Sequence, residues 1–113
     1  MHELPVTQEM FFLVIKYAKS NNAKKINSIK LKIGALSTII PENVKFYFEI
    51  LSKNTIAEGA ELFFEKEKSK AYCINCNENF KIENFDLICP KCRGENVFMK
   101  PDTGFFIKSI TID

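Results

Sequence analysis

The sequence predicts an α+β fold: a small three-stranded sheet with two helices on one face, plus an inserted subdomain that holds every cysteine. Three observations carry this. Apolar residues recur at helical spacing near the N-terminus and again after Pro41, while cleaner two-residue alternation lies between and after those stretches. The third observation is a change of character between Lys70 and Pro101, where four cysteines interrupt an otherwise ordinary apolar pattern. The expected units are therefore 1–69 with 102–113, an α/β domain, and 70–101, an insert.

Residues 5–20 read as a helix, because Val6, Met10, Leu13, Val14, Tyr17 and Ala18 share one face and Pro5 is tolerated in a first turn. Phe11, Phe12 and Ile15 widen that face, so the helix is expected to be buried on two sides or to touch a partner. Asn21 and Asn22 end it. Residues 28–34 alternate, with Ile29, Leu31 and Ile33 on one side and Ser28, Lys30 and Lys32 on the other, which describes a half-buried strand closed by Gly34. A second helix enters at Pro41 and Glu42, places Val44, Tyr47, Phe48 and Leu51 on one stripe, and fades at Asn54. Ala60 to Glu67 reads as a strand, as does Phe105 to Ile112 with weaker alternation. Those last two strands are expected to form the arms of a long hairpin with the insert at its tip.

At 113 residues with 46% apolar content and 11 phenylalanines, the chain can build a real core and is far from a disordered composition. No apolar run approaches membrane-spanning length, and a secretion signal is not legible at the N-terminus, so a cytoplasmic location is expected. The formal charge is +2, and glutamates interleave Lys66, Lys68 and Lys70, so nothing marks a nucleic-acid surface.

Within the insert, Cys73-x2-Cys76 is followed after 12 residues by Cys89-x2-Cys92. Two residues between cysteines let one tight turn aim both sulfurs at a single ion, and two such turns complete a tetrahedron around Zn²⁺. Pro90 and Gly94 suit the tight backbone of the second turn. Such a site is closed and hence structural. Two disulfides or a redox dithiol are the competing readings, and they fit a cytosolic chain with two matched pairs less well. Tyr72, Phe80, Phe85 and Phe98 are expected to supply a miniature core.

The single histidine is His2. The α-amino group of Met1, the amide nitrogen of His2 and its imidazole can close adjoining chelate rings in one plane, an arrangement suited to Ni(II) or Cu(II). Methionine removal requires a small second residue, so Met1 is expected to remain. A histidine at a frayed terminus is, taken alone, more commonly without any role. Glu3 could complete the plane or simply stabilise a helix N-terminus.

The whole chain resembles the HypA/HybF family of nickel-insertion accessory proteins. The resemblance rests on the opening Met1-His2-Glu3, on Ile33 to Ser37 (IGALS) followed by Pro41-Glu42 and Phe46 to Glu49 (FYFE), on Thr55 to Leu62 (TIAEGAEL), on the two Cys-x2-Cys pairs, and on Ile107 to Ile110 (IKSI). It implies a nickel metallochaperone for [NiFe]-hydrogenase, and in some organisms urease, that is not an enzyme. It further implies Ni(II) as cargo bound at Met1, His2 and Glu3, with His2 the essential ligand, and structural Zn(II) at Cys73, Cys76, Cys89 and Cys92. The implied partners are a HypB-type GTPase and the hydrogenase large-subunit precursor, with no nucleic acid and no membrane; the chain itself is expected as a monomer or weak homodimer. Two departures stand out: no histidine flanks the ribbon cysteines, and Pro101 to Phe106 lacks the family's Gly-x-Glu-Leu stretch. The alternative from a different class is a zinc-ribbon nucleic-acid or protein-interaction module in which His2 is incidental.

Overall fold

The computed structural model describes residues 3–82, 87–99 and 103–113. Met1, His2, Phe85, Pro101 and Asp102, which figure in the expectations above, lie outside the described residues. The chain runs α1 (Glu3–Ser20), β1 (Ile26–Ile33), α2 (Pro41–Ser52), β2 (Glu61–Lys66), β3 (Lys70–Cys73), β4 (Glu78–Lys81), β5 (Val97–Met99) and β6 (Phe105–Ile112). The expected helices and flanking strands are all present, and the insert adds three short strands of its own.

The first sheet has the order β2-β1-β6. β1 is therefore central, pairing in parallel with β2 and antiparallel with β6. This corrects the hairpin expectation: β2 and β6 never pair, because β1 lies between them. Parallel pairing of β1 with β2 needs a crossover, and α2 supplies it. The alternation in β1 is as the sequence suggests, with Ile29, Leu31 and Ile33 buried and Lys30 exposed on the opposite face. β6 alternates weakly for a physical reason. Its register against β1 slips between Lys30 and Leu31, so Ile110 opposes Ile29 and Ile107 opposes Leu31, and both turn inward despite being three residues apart.

One face of this sheet is covered by the helices. Met10, Val14 and Ala18 of α1 and Val44 and Phe48 of α2 join Ile26, Ile29 and Leu31 in one core. The broad apolar surface of α1 is explained by three neighbours. Its central stripe meets the sheet, and Phe11 meets Phe48 of α2 edge-on at 6.1 Å between ring centres. Leu13 and Tyr17 line a groove of about 560 Å³ against β6 and remain partly exposed. Phe12 belongs to none of these and is 75% exposed.

Asn22 ends α1 for a definite reason. It sits at φ 56°, while Ala23 N–H donates to Ala18 O and Asn22 N–H donates to Lys19 O. This paired closure needs a left-handed residue, which asparagine tolerates better than most.

The second sheet has the order β4-β3-β5, antiparallel throughout, and shares no strand with the first. Its buried residues are Ala71, Cys73, Ile82 and Cys89. Of the aromatics expected as core, Phe80 opposes buried Ala71 and is half-buried, whereas Tyr72 and Phe98 take no part. Tyr72 and Phe98 are cross-strand neighbours on the other face, and Phe98 is 58% exposed. Alternation along β3 decides this, since Ala71 and Cys73 point inward and Tyr72 between them must point out.

Candidate metal centre

The four cysteines are brought together by two matched turns. The first knuckle, Cys73 to Cys76, leaves the end of β3, and the second, Cys89 to Cys92, precedes β5. Each knuckle is followed by a residue in the left-handed region, Asn77 at φ 53° and Arg93 at φ 57°. That reversal turns the chain back so that both sulfurs of a pair face the same point. The turns are fixed by backbone bonds: Ile74 N–H to Asn96 O, Cys89 N–H to Gly94 O, and Arg93 N–H to Cys89 O at 2.8 Å. Asn77 is held further by the Tyr72 hydroxyl, which donates to its Oδ1 at 2.7 Å. Gly94 N–H points at Cys92 Sγ at 3.4 Å, and a Cβ on Gly94 would stand 3.2 Å from that sulfur. A side chain here would crowd that sulfur by a few tenths of an ångström.

All four sulfurs lie within 4.8 Å of one another. The pairs Cys73–Cys92 and Cys76–Cys89, each joining one knuckle to the other, are 3.7 and 3.8 Å apart. A regular tetrahedron with Zn–S bonds of about 2.3 Å has sulfur–sulfur edges of about 3.8 Å. The arrangement therefore fits one tetrahedral, thiophilic ion, and the donor set favours Zn²⁺ over harder cations. Disulfides would need sulfurs at about 2.05 Å, so the geometry is that of thiols or thiolates.

The protein environment splits the thiols. Backbone N–H groups, first that of Cys92 and also that of Lys91, donate to Cys89 Sγ and lower its pKa to about 6. Cys76, hydrogen-bonded first to Cys92 and also partly desolvated, is pushed up to about 12. Without a cation the cluster thus keeps a thiolate at Cys89 and a proton on Cys76; a bound divalent ion would favour the deprotonated form of all its sulfur ligands. Cys73 and Cys89 are buried and Cys92 is exposed, so the knuckle surface opens to solvent on one side. Of the positive groups there, Lys91 Nζ is paired with Glu78 at 2.7 Å.

At the other candidate site, Met1 and His2 lie outside the described residues, but Glu3 is placed. It opens α1, its carbonyl accepts a 2.6 Å hydrogen bond from the buried Thr7 hydroxyl, and its Oε1 accepts from Ile40 N–H at 3.3 Å. The sequence marked Glu3 but gave no sign of Ile40, whose contribution is a backbone group 37 residues away. The only hint was Pro41, which forces its predecessor out of helical geometry and leaves that N–H to find a side-chain partner.

A family model described as "Hydrogenase/urease nickel incorporation, metallochaperone, hypA" matches residues 1–112. The chain belongs to the HypA family. Relatives include the hydrogenase maturation factor HypA of Caldanaerobacter subterraneus subsp. tengcongensis, 40% identical with both chains covered in full. The HybF protein of Proteus vulgaris, also a hydrogenase maturation factor, is 34% identical over the full length of both. Among solved structures, the nickel metallochaperone HypA of Helicobacter pylori aligns with a TM-score of 0.69 at 26% identity, covering 99% of this chain and 97% of the other. A second HypA solution structure aligns at 0.75 and 27% identity, covering 99% and 96%. As a HypA protein the chain is a maturation factor of the nickel metallochaperone type and not an enzyme. None of the helices in the described residues is long and apolar enough to cross a membrane.

Proposed function

We propose that this protein carries Ni(II) on its N-terminus and delivers it during maturation of [NiFe]-hydrogenase, with Zn²⁺ held by Cys73, Cys76, Cys89 and Cys92 as a structural ion. The observation that carries this reading is the family match, which begins at residue 1 and so includes the sole histidine. Three nitrogens, the Met1 amine, the His2 amide and the His2 imidazole, would occupy three corners of a square plane. The fourth corner is taken by the Glu3 carboxylate, by water or by a donor of the recipient; Glu3 Oε1 also accepts from Ile40 N–H. A site at a chain end exchanges ligands readily, which suits hand-over. Copper would bind such nitrogens more tightly still, so selection rests on metal supply and on the partner.

In this reading residues 1–69 with 102–113 form the nickel-binding unit and 70–101 the zinc-bearing insert. The partners are a HypB-type GTPase and the hydrogenase large-subunit precursor, met in the cytoplasm; urease is a second possible recipient within the family's described scope. The test is a Ni(II) titration of untagged protein and of His2→Ala, with zinc measured in both. His2→Ala should lose stoichiometric nickel binding and keep one zinc, and an added N-terminal residue should do the same harm. Unchanged nickel affinity in His2→Ala would overturn the terminal site.

A further inference from the structure

We propose that Glu3 is a positioning residue, an acceptor that docks the N-terminal stem onto the start of α2, and that it is not a nickel ligand. The inference rests on the reading of Met1 and His2 as the nickel donors and concerns what holds them in place.

The argument begins at α2. Its N-cap is Ile40, at φ −99° and ψ 114°, and no side chain of its own segment caps the helix. Pro41 follows, which keeps Ile40 extended and contributes no N–H of its own. Ile40 O is used inside the helix, accepting from Asn43 and Val44. Ile40 N–H points away from the helix, and the preceding Ile39 N–H is already bonded to the Ser37 hydroxyl oxygen. The acceptor that meets Ile40 N–H is Glu3 Oε1. A carboxylate there also lies at the positive end of a 12-residue helix, where negative charge is favoured.

Glu3 is secured a second time, through its main chain. Thr7 is fully buried, and its hydroxyl donates to Glu3 O at 2.6 Å. The residue immediately after His2 is thus clamped by a core threonine on one side and by the α2 terminus on the other. The point from which the proposed donors extend is thereby tied to the fold at Glu3. Holding donors in a restricted region raises apparent affinity in proportion to the competent population.

A ligand role and a positioning role make opposite demands on glutamine. Its amide oxygen can still accept from Ile40 N–H, but it is a far poorer nickel donor than a carboxylate. The experiment compares untagged wild-type protein, Glu3→Gln and Glu3→Ala, with His2→Ala as reference. Amide exchange at Ile40 is read first without nickel, then NiCl₂ is titrated and the d–d spectrum recorded. Positioning predicts faster Ile40 exchange in Glu3→Ala by about tenfold, the loss of one charged hydrogen bond, with little change in Glu3→Gln. Nickel affinity should fall about three- to tenfold in Glu3→Ala and stay within about twofold in Glu3→Gln, with the same spectrum in both. Equal loss in the two variants, or a shifted spectrum in Glu3→Gln, would overturn the proposal in favour of a ligand. Unchanged Ile40 exchange in Glu3→Ala would overturn the docking itself. Should His2→Ala bind nickel as wild type does, the terminal chelate fails instead, and the metal-free exchange data tell the two failures apart.

Discussion

Replacing Cys89 with serine should release the metal and unfold the insert while leaving the first sheet intact. Cys89 is 2% exposed and its sulfur lies 3.8 Å from that of Cys76, so the substitution removes a sulfur donor from inside the cluster. Zinc supplies about 10–16 kcal/mol to small four-ligand sites, so one ligand of four carries about 2.5–4 kcal/mol, a weakening of about 10²- to 10³-fold. The insert has little else. Apart from its cysteines, only Ala71 and Ile82 are buried there among the described residues. Burying an isoleucine side chain gives about 1.5–3 kcal/mol, while fixing each backbone residue costs about 1–2 kcal/mol. Competition with a chromophoric chelator would measure zinc affinity, and amide exchange at Tyr72, Ile74 and Val97 would report the insert against Ile29 and Leu31 in β1. The reasoning fails if Cys89→Ser holds zinc within about tenfold of wild type, or if the insert's amides stay protected once zinc is gone.

Two further outcomes follow from the same structure. Leu31→Ala empties a fully buried position flanked by Phe64 and Ile107 in the sheet, and should cost about 2–5 kcal/mol in thermal or urea unfolding with zinc content unchanged. In the metal-free insert the folded pKa of Cys89 is lowered to about 6 from 9.0. Its thiolate therefore favours the folded insert fully above pH 9 and loses that effect as pH falls through about 6, while the raised pKa of Cys76 acts in the opposite sense. Zinc release followed by chelator absorbance should increase as pH falls, because protons compete with the ion for the four thiolates; release independent of pH would contradict it.

The fold was largely legible where local pattern and tertiary demand coincide. β1 alternates because one face meets the helices, and α2 repeats Val44 and Phe48 four residues apart because both touch that sheet. The cysteine spacing alone implies four sulfurs within reach of one ion, and they lie within 4.8 Å of one another. What escaped was non-local. That β2 and β6 flank β1 rather than each other depends on a crossover whose pairing no stretch of sequence encodes. Tyr72 looked like core by composition, yet the alternation of β3 gives its inward positions to Ala71 and Cys73 and turns Tyr72 outward. The partner of Glu3 is a main-chain N–H, which has no letter in the sequence.

The strand order has one more consequence. β2 ends at Lys66 and β6 begins at Phe105, and both residues sit beside Ile33, on opposite sides of it. The insert therefore leaves and re-enters the first sheet at one end of β1, through stems about two strand spacings, or about 10 Å, apart. Glu67 N–H bonds Ile33 O on one side, and Gly34 N–H bonds Gly104 O on the other. From the same point the chain continues through Gly34 toward Ile40, the group that holds Glu3. Through these two hydrogen bonds and the chain from Gly34 to Ile40, a pull on the insert and the anchorage of Glu3 meet at a single peptide junction, the step from Ile33 to Gly34.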